Sequence, residues 1–225
     1  MQTAVAFQTV RLHKTIADRT KRVYDHLSRI YPASTFFFHS KAHKIALEMS
    51  GLRDGMKVLE VATGSGEMFR RLVRNNPDGY TCGVDLSPNM AARTQAHARK
   101  MFPQASLHCQ AVDARSLPYR DGSFDSIFCC YLFELLSTDD IFMTMEEMQR
   151  VLKPRGKLTT ILIGQQAEFF NKAYLVASSL VPAFWGRQMD NSAQGILEAT
   201  GFRVTQEQLV RQGFYHSRVL TAIKD

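Results

Sequence analysis

Three carboxylates stand at the ends of three apolar runs, and their spacing is the chemistry-bearing pattern of this chain. Met56-Lys-Val-Leu-Glu60-Val61 leads into Ala62-Thr63-Gly64-Ser65-Gly66, Gly83-Val-Asp85-Leu86-Ser87 ends a second run, and Gln110-Ala-Val-Asp113-Ala114 closes a third that extends from Ala105 to Val112. Val58, Leu59 and Val61 suit a parallel strand buried on both faces. Gly64 and Gly66 lack a Cβ, so the turn after that strand can take dihedrals and close ligand approaches denied to other residues. A carboxylate at the tip of the second strand, Asp85, can accept the hydroxyls of a ribose. Asp113 offers a carboxylate for an adenine amino group, and Glu60, at the edge of the turn, suits an ammonium. A nucleoside-bearing cofactor is the first inference.

The residues after the glycines decide which one. A dinucleotide site wants G-x-G-x-x-G, the third glycine allowing the helix to pack closely and present its N-terminus to a pyrophosphate. Here Phe69 holds that third place and Glu67 puts negative charge where the pyrophosphate would lie. A nicotinamide or flavin dinucleotide is therefore disfavoured. S-adenosylmethionine fits better, being an adenosine that carries a sulfonium and an amino acid tail and no phosphate. A lone G-x-G can also serve only the geometry of a strand-to-helix turn; Asp85 and Asp113 weigh against that reading.

The elements that must position these residues alternate. Ser87-Pro88 is a helix start, serine as N-cap and proline as first residue, leading Met90 to Phe102. Phe124 to Cys130 reads as a fourth buried strand after the turn Arg120-Asp-Gly-Ser123. Ser137-Thr-Asp-Asp140 opens a helix whose Ile141, Phe142, Met145, Met148 and Leu152 recur at helical spacing. That helix stops before Pro154, and Lys157 to Gly164 is a fifth strand. Five strands with crossover helices make a doubly wound parallel sheet, with its ligand site at the carboxyl ends of the strands. Beyond it, Gly201 to Val210 and Phe214 to Ile223 predict two strands joined by a hairpin-like turn at Gln212-Gly213.

Taken together, the four motifs resemble the class I S-adenosylmethionine-dependent methyltransferases, over residues 56 to 163 and in the right order. That resemblance implies an α/β fold with a doubly wound, Rossmann-like seven-stranded sheet, mostly parallel with an antiparallel C-terminal strand. It also implies a helical N-terminal lid over residues 1–50, a methyltransferase domain over 51–225, and S-adenosylhomocysteine as product. It gives Glu60, Gly64 and Gly66 to the methionine site, Asp85 to the ribose site, and Asp113 with Ala114 to the adenine site; Ala62, Thr63, Ser65, Leu86, Met90 and Cys130 complete the cofactor-binding set. Ala62 departs from the glycine common there. Val23-Tyr24 through Tyr31, then Phe36-Phe-Phe-His39 and His43, is similar to the paired-tyrosine leader of quinone-biosynthesis C-methyltransferases and bacterial phospholipid N-methyltransferases. In those relatives the leader closes over the cofactor. Pro32 replaces the aspartate usual after the second tyrosine, and Tyr24 and Tyr31 also have the i, i+7 spacing of amphipathic core residues.

Composition bounds the partners. With 225 residues, 45% of them apolar, the chain is long enough for one domain with a sizeable core. All four cysteines fall in predicted strands, which suggests reduced thiols and a cytoplasmic address, and the start lacks the features of a signal peptide. No apolar run reaches the roughly 18 to 20 residues that span a bilayer. The net charge is +7, and residues 1–57 hold ten basic and four acidic side chains. Arg19, Lys21, Arg22 and Arg29 surround Val23, Leu27 and Ile30, a basic amphipathic stretch suited to the anionic inner face of a membrane and equally readable as a solvated helix face. No nucleic-acid partner is expected, since neither stacking aromatics nor a helix-turn-helix pattern appears. His39 and His43 have metal-pair spacing without a third ligand, so no metal is expected either.

Phe169 to Trp185 is longer and more apolar than a crossover needs; as a cap over the site it implies a lipid-like or amphiphilic small acceptor, and as an ordinary core helix it implies nothing. Methyl transfer from a sulfonium asks mainly for alignment and a dry site, plus a proton route for a hydroxyl, protonated amine or carbon acid. Tyr24, Tyr31, Glu134 and His216 are the catalytic candidates, with His43 a further proton acceptor; Glu134 could equally be a favourable helix-start carboxylate. Tyr215 to Leu220 also resembles the ending of the lipid-acting relatives. The basic N-terminus and the apolar segment favour a phospholipid amine as acceptor, with a quinone ring carbon as the alternative. An oxidoreductase using a nicotinamide dinucleotide and a non-catalytic membrane-surface module are the other classes in view.

Overall fold

Alternating apolar runs and capped helices build one sheet. The computed structural model describes residues 31–164, 192–212 and 215–225. The order is α1 (Tyr31–Ser50), β1 (Lys57–Val61), α2 (Glu67–Arg74), β2 (Tyr80–Asp85), α3 (Pro88–Met101), β3 (Ser106–Ala111), β4 (Phe124–Cys130), a 3-10 turn (Phe133–Leu135), α4 (Thr138–Val151), β5 (Leu152–Gly164), α5 (Ser192–Ala199), β6 (Phe202–Gln212) and β7 (Tyr215–Lys224). The basic N-terminal stretch with Tyr24, the side chains of Tyr31 and His39, the segment 169–185 and the turn at Gly213 lie outside the described residues.

Seven strands lie in the order β3-β2-β1-β4-β5-β7-β6. β1 to β5 pair in parallel, and β7 runs antiparallel to both its neighbours, the arrangement expected from the sequence. The strand order reverses between β1 and β4, which opens a crevice at their carboxyl ends. Because side chains alternate along a strand, each strand feeds two layers. Leu59, Val61, Ile127, Cys129 and Leu158 pack with Ile141, Met145 and Met148 of α4 and Leu197 of α5. On the opposite face Val58, Phe128, Ile161 and Val219 pack with Ala42 and Ala46 of α1 and Met68 and Leu72 of α2.

The helix starts follow their caps. Ser87 Oγ accepts from the Met90 amide at 3.3 Å with Pro88 as first residue, and Ser137 Oγ accepts from the Asp140 amide at 3.1 Å. β5 departs from expectation, since it begins at Leu152 and not at Lys157. Phe124 pairs with Leu152, Ser126 already pairs with Lys157, and the residues between bulge outward. Pro154 has no N–H to give the ladder and Arg155 takes a left-handed φ of 62°, so the apparent stop is a bulge within one strand. None of the described helices is long and apolar enough to cross a membrane.

Candidate active site

The tips of β1, β2, β3 and β4 open into one cleft with about 1110 Å³ of atom-free space, part of it open to solvent. Every residue of the expected cofactor-binding set lines it except Gly66, which sits behind it as the N-terminal boundary of α2. The amides of Ala62 and Thr63 both donate to the Val84 carbonyl, at 2.8 and 3.1 Å. Gly64 then donates its amide to Asp85 Oδ2 at 2.7 Å, while Ser87 donates to Oδ1 at 2.9 Å. Asp85 therefore straps the glycine turn to the turn after β2, a role its ribose assignment did not foresee. Each of its oxygens has acceptor capacity for a further donor.

Backbone conformation explains the glycines. Gly64 has φ 48°, and a Cβ built there meets no protein atom within 4 Å, so its open side is the cleft. Gly66 has φ 72°, and a Cβ there would come within 2.6 Å of Thr94 Oγ1 on α3. Ala62 has φ 64°, which for an L-residue costs roughly 1–2 kcal/mol. Phe69 is fully buried with Val73, Ala98 and Leu107, filling the space between α2, α3 and β3 where a dinucleotide turn would hold glycine.

Two buried polar atoms test whether S-adenosylmethionine fits. Glu60 is 1% exposed and its Oε2 has no hydrogen-bond partner; burial first, then the charge of Asp85, raises its carboxyl well above the usual range. Thr63 Oγ1 is likewise buried and unpartnered. Both can accept hydrogen bonds, so an ammonium bound in the cleft would offer them donors, and such orphaned groups are costly otherwise. At the far end Asp113 is already engaged. Arg115 donates Nε to both its oxygens and Nη2 to Oδ2 at 2.7 Å, its amide bonds Oδ1 at 3.0 Å, and its Nη1 reaches Asp140 at 2.7 Å. Hydrogen bonds from Arg115 hold the Asp113 carboxyl below its ordinary range. An adenine amino group must compete there with a guanidinium. Sequence reading missed Arg115, although an arginine two residues past an acid was a visible signal, and it missed Thr144 of α4, whose buried, unpartnered hydroxyl also lines the cleft.

Another wall is formed by His43 of α1, Glu67 and Met68 of α2, Cys130 at the end of β4 and Tyr131 after it. Glu67 Oε1 lies 2.8 Å from Arg71 Nη2 and 3.7 Å from His43 Nδ1. Burial works to raise the Glu67 carboxyl, but His43 and Arg71 outweigh it and hold the group below its usual range. Tyr131 has φ 56°, and its hydroxyl bonds Ser217 Oγ of β7 at 2.7 Å. The other proton-route candidates lie elsewhere. Glu134 is buried away from the cleft, its Oε1 accepting the Ile163 amide at 2.6 Å, and burial pushes its carboxyl up to about 7. His216 sits in the β5–β7 ladder opposite Gly164 and does not line the cleft. Among the described residues no three His, Cys, Asp or Glu gather as a metal site.

Comparison with known proteins fits this geometry. Residues 58–156 match the family model described as a methyltransferase domain. The chain is 26% identical over 169 residues to 2-phytyl-1,4-naphtoquinone methyltransferase of Nostoc sp., covering 71% of this chain and 73% of that protein. It is 27% identical over 188 residues to demethylmenaquinone methyltransferase of Staphylococcus aureus, covering 81% and 76%. The enzyme is an S-adenosylmethionine-dependent methyltransferase. This methyltransferase shares its fold with magnesium protoporphyrin IX methyltransferase from Synechocystis, solved with bound S-adenosylhomocysteine, at a TM-score of 0.65 and 17% identity over 98% of this chain and 90% of that one. S-adenosylmethionine is the methyltransferase's cofactor, in agreement with the fit of Glu60 and Thr63 to an ammonium.

Proposed function

We propose that this methyltransferase moves the methyl group of S-adenosylmethionine to a ring carbon of a lipid-tailed quinone in its hydroquinone form. The observation that carries the reading is that both relatives above, matched over about three quarters of their lengths, are named for naphthoquinone-type acceptors. The cleft supports it with apolar walls, Met68, Val112, Leu132, Leu135 and Leu136, that suit an aromatic bicycle. Glu60 and Thr63 hold the amino acid tail, and Asp85 holds the ribose. The cofactor brings an electrophilic methyl on sulfur; the protein aligns it and keeps water out. The phospholipid amine favoured on sequence rests on the basic leader and on residues 169–185, and neither relative's name points to it. Such an acceptor dissolves in a bilayer, so the enzyme works at a membrane surface.

The test is incubation with methyl-labelled S-adenosylmethionine and either a C3-unsubstituted 2-prenyl-1,4-naphthohydroquinone or phosphatidylethanolamine vesicles. Label on the ring carbon, at a rate at least tenfold above that on the lipid amine, is expected; the reverse preference overturns the proposal.

A further inference from the structure

Methylating a ring carbon releases that carbon's hydrogen as a proton, so the site needs an acceptor close to the sulfonium end. Three candidates fail on placement or chemistry. Glu134 and His216 do not line the cleft. Cys130 does line it, but burial and then the Glu60 charge raise its thiol, which keeps it neutral and weakly basic. Glu60 has its own use at the amino acid tail.

His43 meets the requirement, and it is the one imidazole lining the cleft among the described residues. It is 3% exposed, on the wall that also carries Cys130 and Tyr131, with its ring centroid 6.2 Å from that of Tyr131. Its Nδ1 faces Glu67 Oε1 at 3.7 Å, and Glu67 is 5% exposed. Glu67 is itself fixed, since it is the first residue of α2, where the helix dipole favours a carboxylate, and Arg71 one turn on grips the same oxygen at 2.8 Å. Packing does not demand this pair. Ala42 and Ala46, beside His43 on α1, already pack in an apolar cluster with sheet residues, and apolar replacements for buried ionic pairs are often neutral or stabilising. The Glu67 carboxylate on the Nδ1 side, at 3.7 Å beyond hydrogen-bond length, attracts the imidazolium once formed.

We propose that His43 is the proton acceptor of the reaction and Glu67 its positioning residue; this rests on the ring-carbon reading above. As the ring carbon bonds to the methyl carbon, the methyl–sulfur bond breaks and leaves its electron pair on sulfur. The hydrogen on the ring carbon passes to the His43 imidazole as a proton, its bonding pair restores the aromatic ring, and the proton goes to water after product leaves. Among the described residues, the titratable groups that share the cleft wall with His43 are Glu67 from α2, held by Arg71, Glu60 from β1, Cys130 at the end of β4 and Tyr131 after it.

The experiment uses the full chain, the prenyl naphthohydroquinone and three variants, His43→Gln, His43→Ala and Glu67→Gln, with cofactor affinity measured by calorimetry beside kcat. His43→Gln is expected to lower kcat on the order of 100-fold while cofactor Kd moves less than about threefold, and Glu67→Gln about tenfold. Added imidazole should recover part of the rate of His43→Ala and none of that of Glu67→Gln. A His43→Gln rate within about threefold of wild type overturns the assignment, as does loss of cofactor binding in both His43 variants, which would place the residue in the fold. Wild-type protein that binds the cofactor but leaves the hydroquinone unmethylated refutes the ring-carbon reading instead, and the assignment as written falls with it.

Discussion

Replacing Asp85 by asparagine separates two roles that one carboxylate carries. Its oxygens accept the amides of Gly64 at 2.7 Å and Ser87 at 2.9 Å, one on each oxygen. Asparagine presents one oxygen and one NH2, so in either orientation one of those amides loses its acceptor and faces another donor. A hydrogen bond to a charged group contributes about 1.5–3 kcal/mol, and Asp85 is half-buried, so a loss of about 2 kcal/mol is expected in the cofactor-free protein. At this chain length 1 kcal/mol moves Tm by about 2–4 °C, which gives a fall on the order of 4–8 °C. Loss of the charged ribose acceptor costs roughly a further 2 kcal/mol in binding, about 30-fold in cofactor Kd. Differential scanning calorimetry without cofactor and titration calorimetry with it measure the two separately. An unchanged cofactor-free Tm would show that the glycine turn does not depend on Asp85, and the strapping argument would be wrong even if affinity fell.

Other expectations follow from single positions. Ala62→Gly relieves a left-handed alanine at some cost in unfolded-state entropy, for a net gain of about 0.5–1 kcal/mol and a Tm rise of about 2 °C by thermal denaturation. Burial and the charge of Asp85 raise the Glu60 carboxyl and an ammonium beside it would lower it again, so titration calorimetry in buffers of different ionisation enthalpy should show proton release on cofactor binding; Glu60→Gln should abolish that release and weaken binding about 100-fold. Glu134 titrates at about 7 when folded and near 4.3 when unfolded, so between those values the native state binds more protons and its stability falls as pH rises. Urea unfolding of Glu134→Gln should match wild type near pH 4 and exceed it at pH 8 by on the order of 2–4 kcal/mol, because the amide retains the acceptor for Ile163 without a buried charge.

That the strand tips meet in one cleft was legible because its signals are local: a strand, a turn that needs left-handed backbone, and a carboxylate at each of the next two strand tips. Ser87 and Ser137 marked their helices for the same reason. What escaped depends on contacts distant in sequence. Arg115 reaches Asp140 across 25 positions, Glu134 meets Ile163 across 29, and Tyr131 meets Ser217 across 86, and no periodicity or spacing encodes such meetings. Glu134 looked available for chemistry because it follows a strand tip, yet the 3-10 turn rotates it into the protein; the Pro-Arg-Gly of β5 looked like a boundary because bulges and turns share their residues.

One wall of the reaction chamber is lent by a helix that precedes the first strand, whereas the stretch shared with the methyltransferase model starts at residue 58 and ends at 156. Among the described residues, those proposed to hold the donor fall inside that stretch, and His43 falls outside it. The family model therefore bears on the donor, whereas the reading of the acceptor draws on relatives matched over 169 and 188 residues. Swapping leaders between related enzymes, with the strands left alone, is the natural way to redirect where the methyl goes.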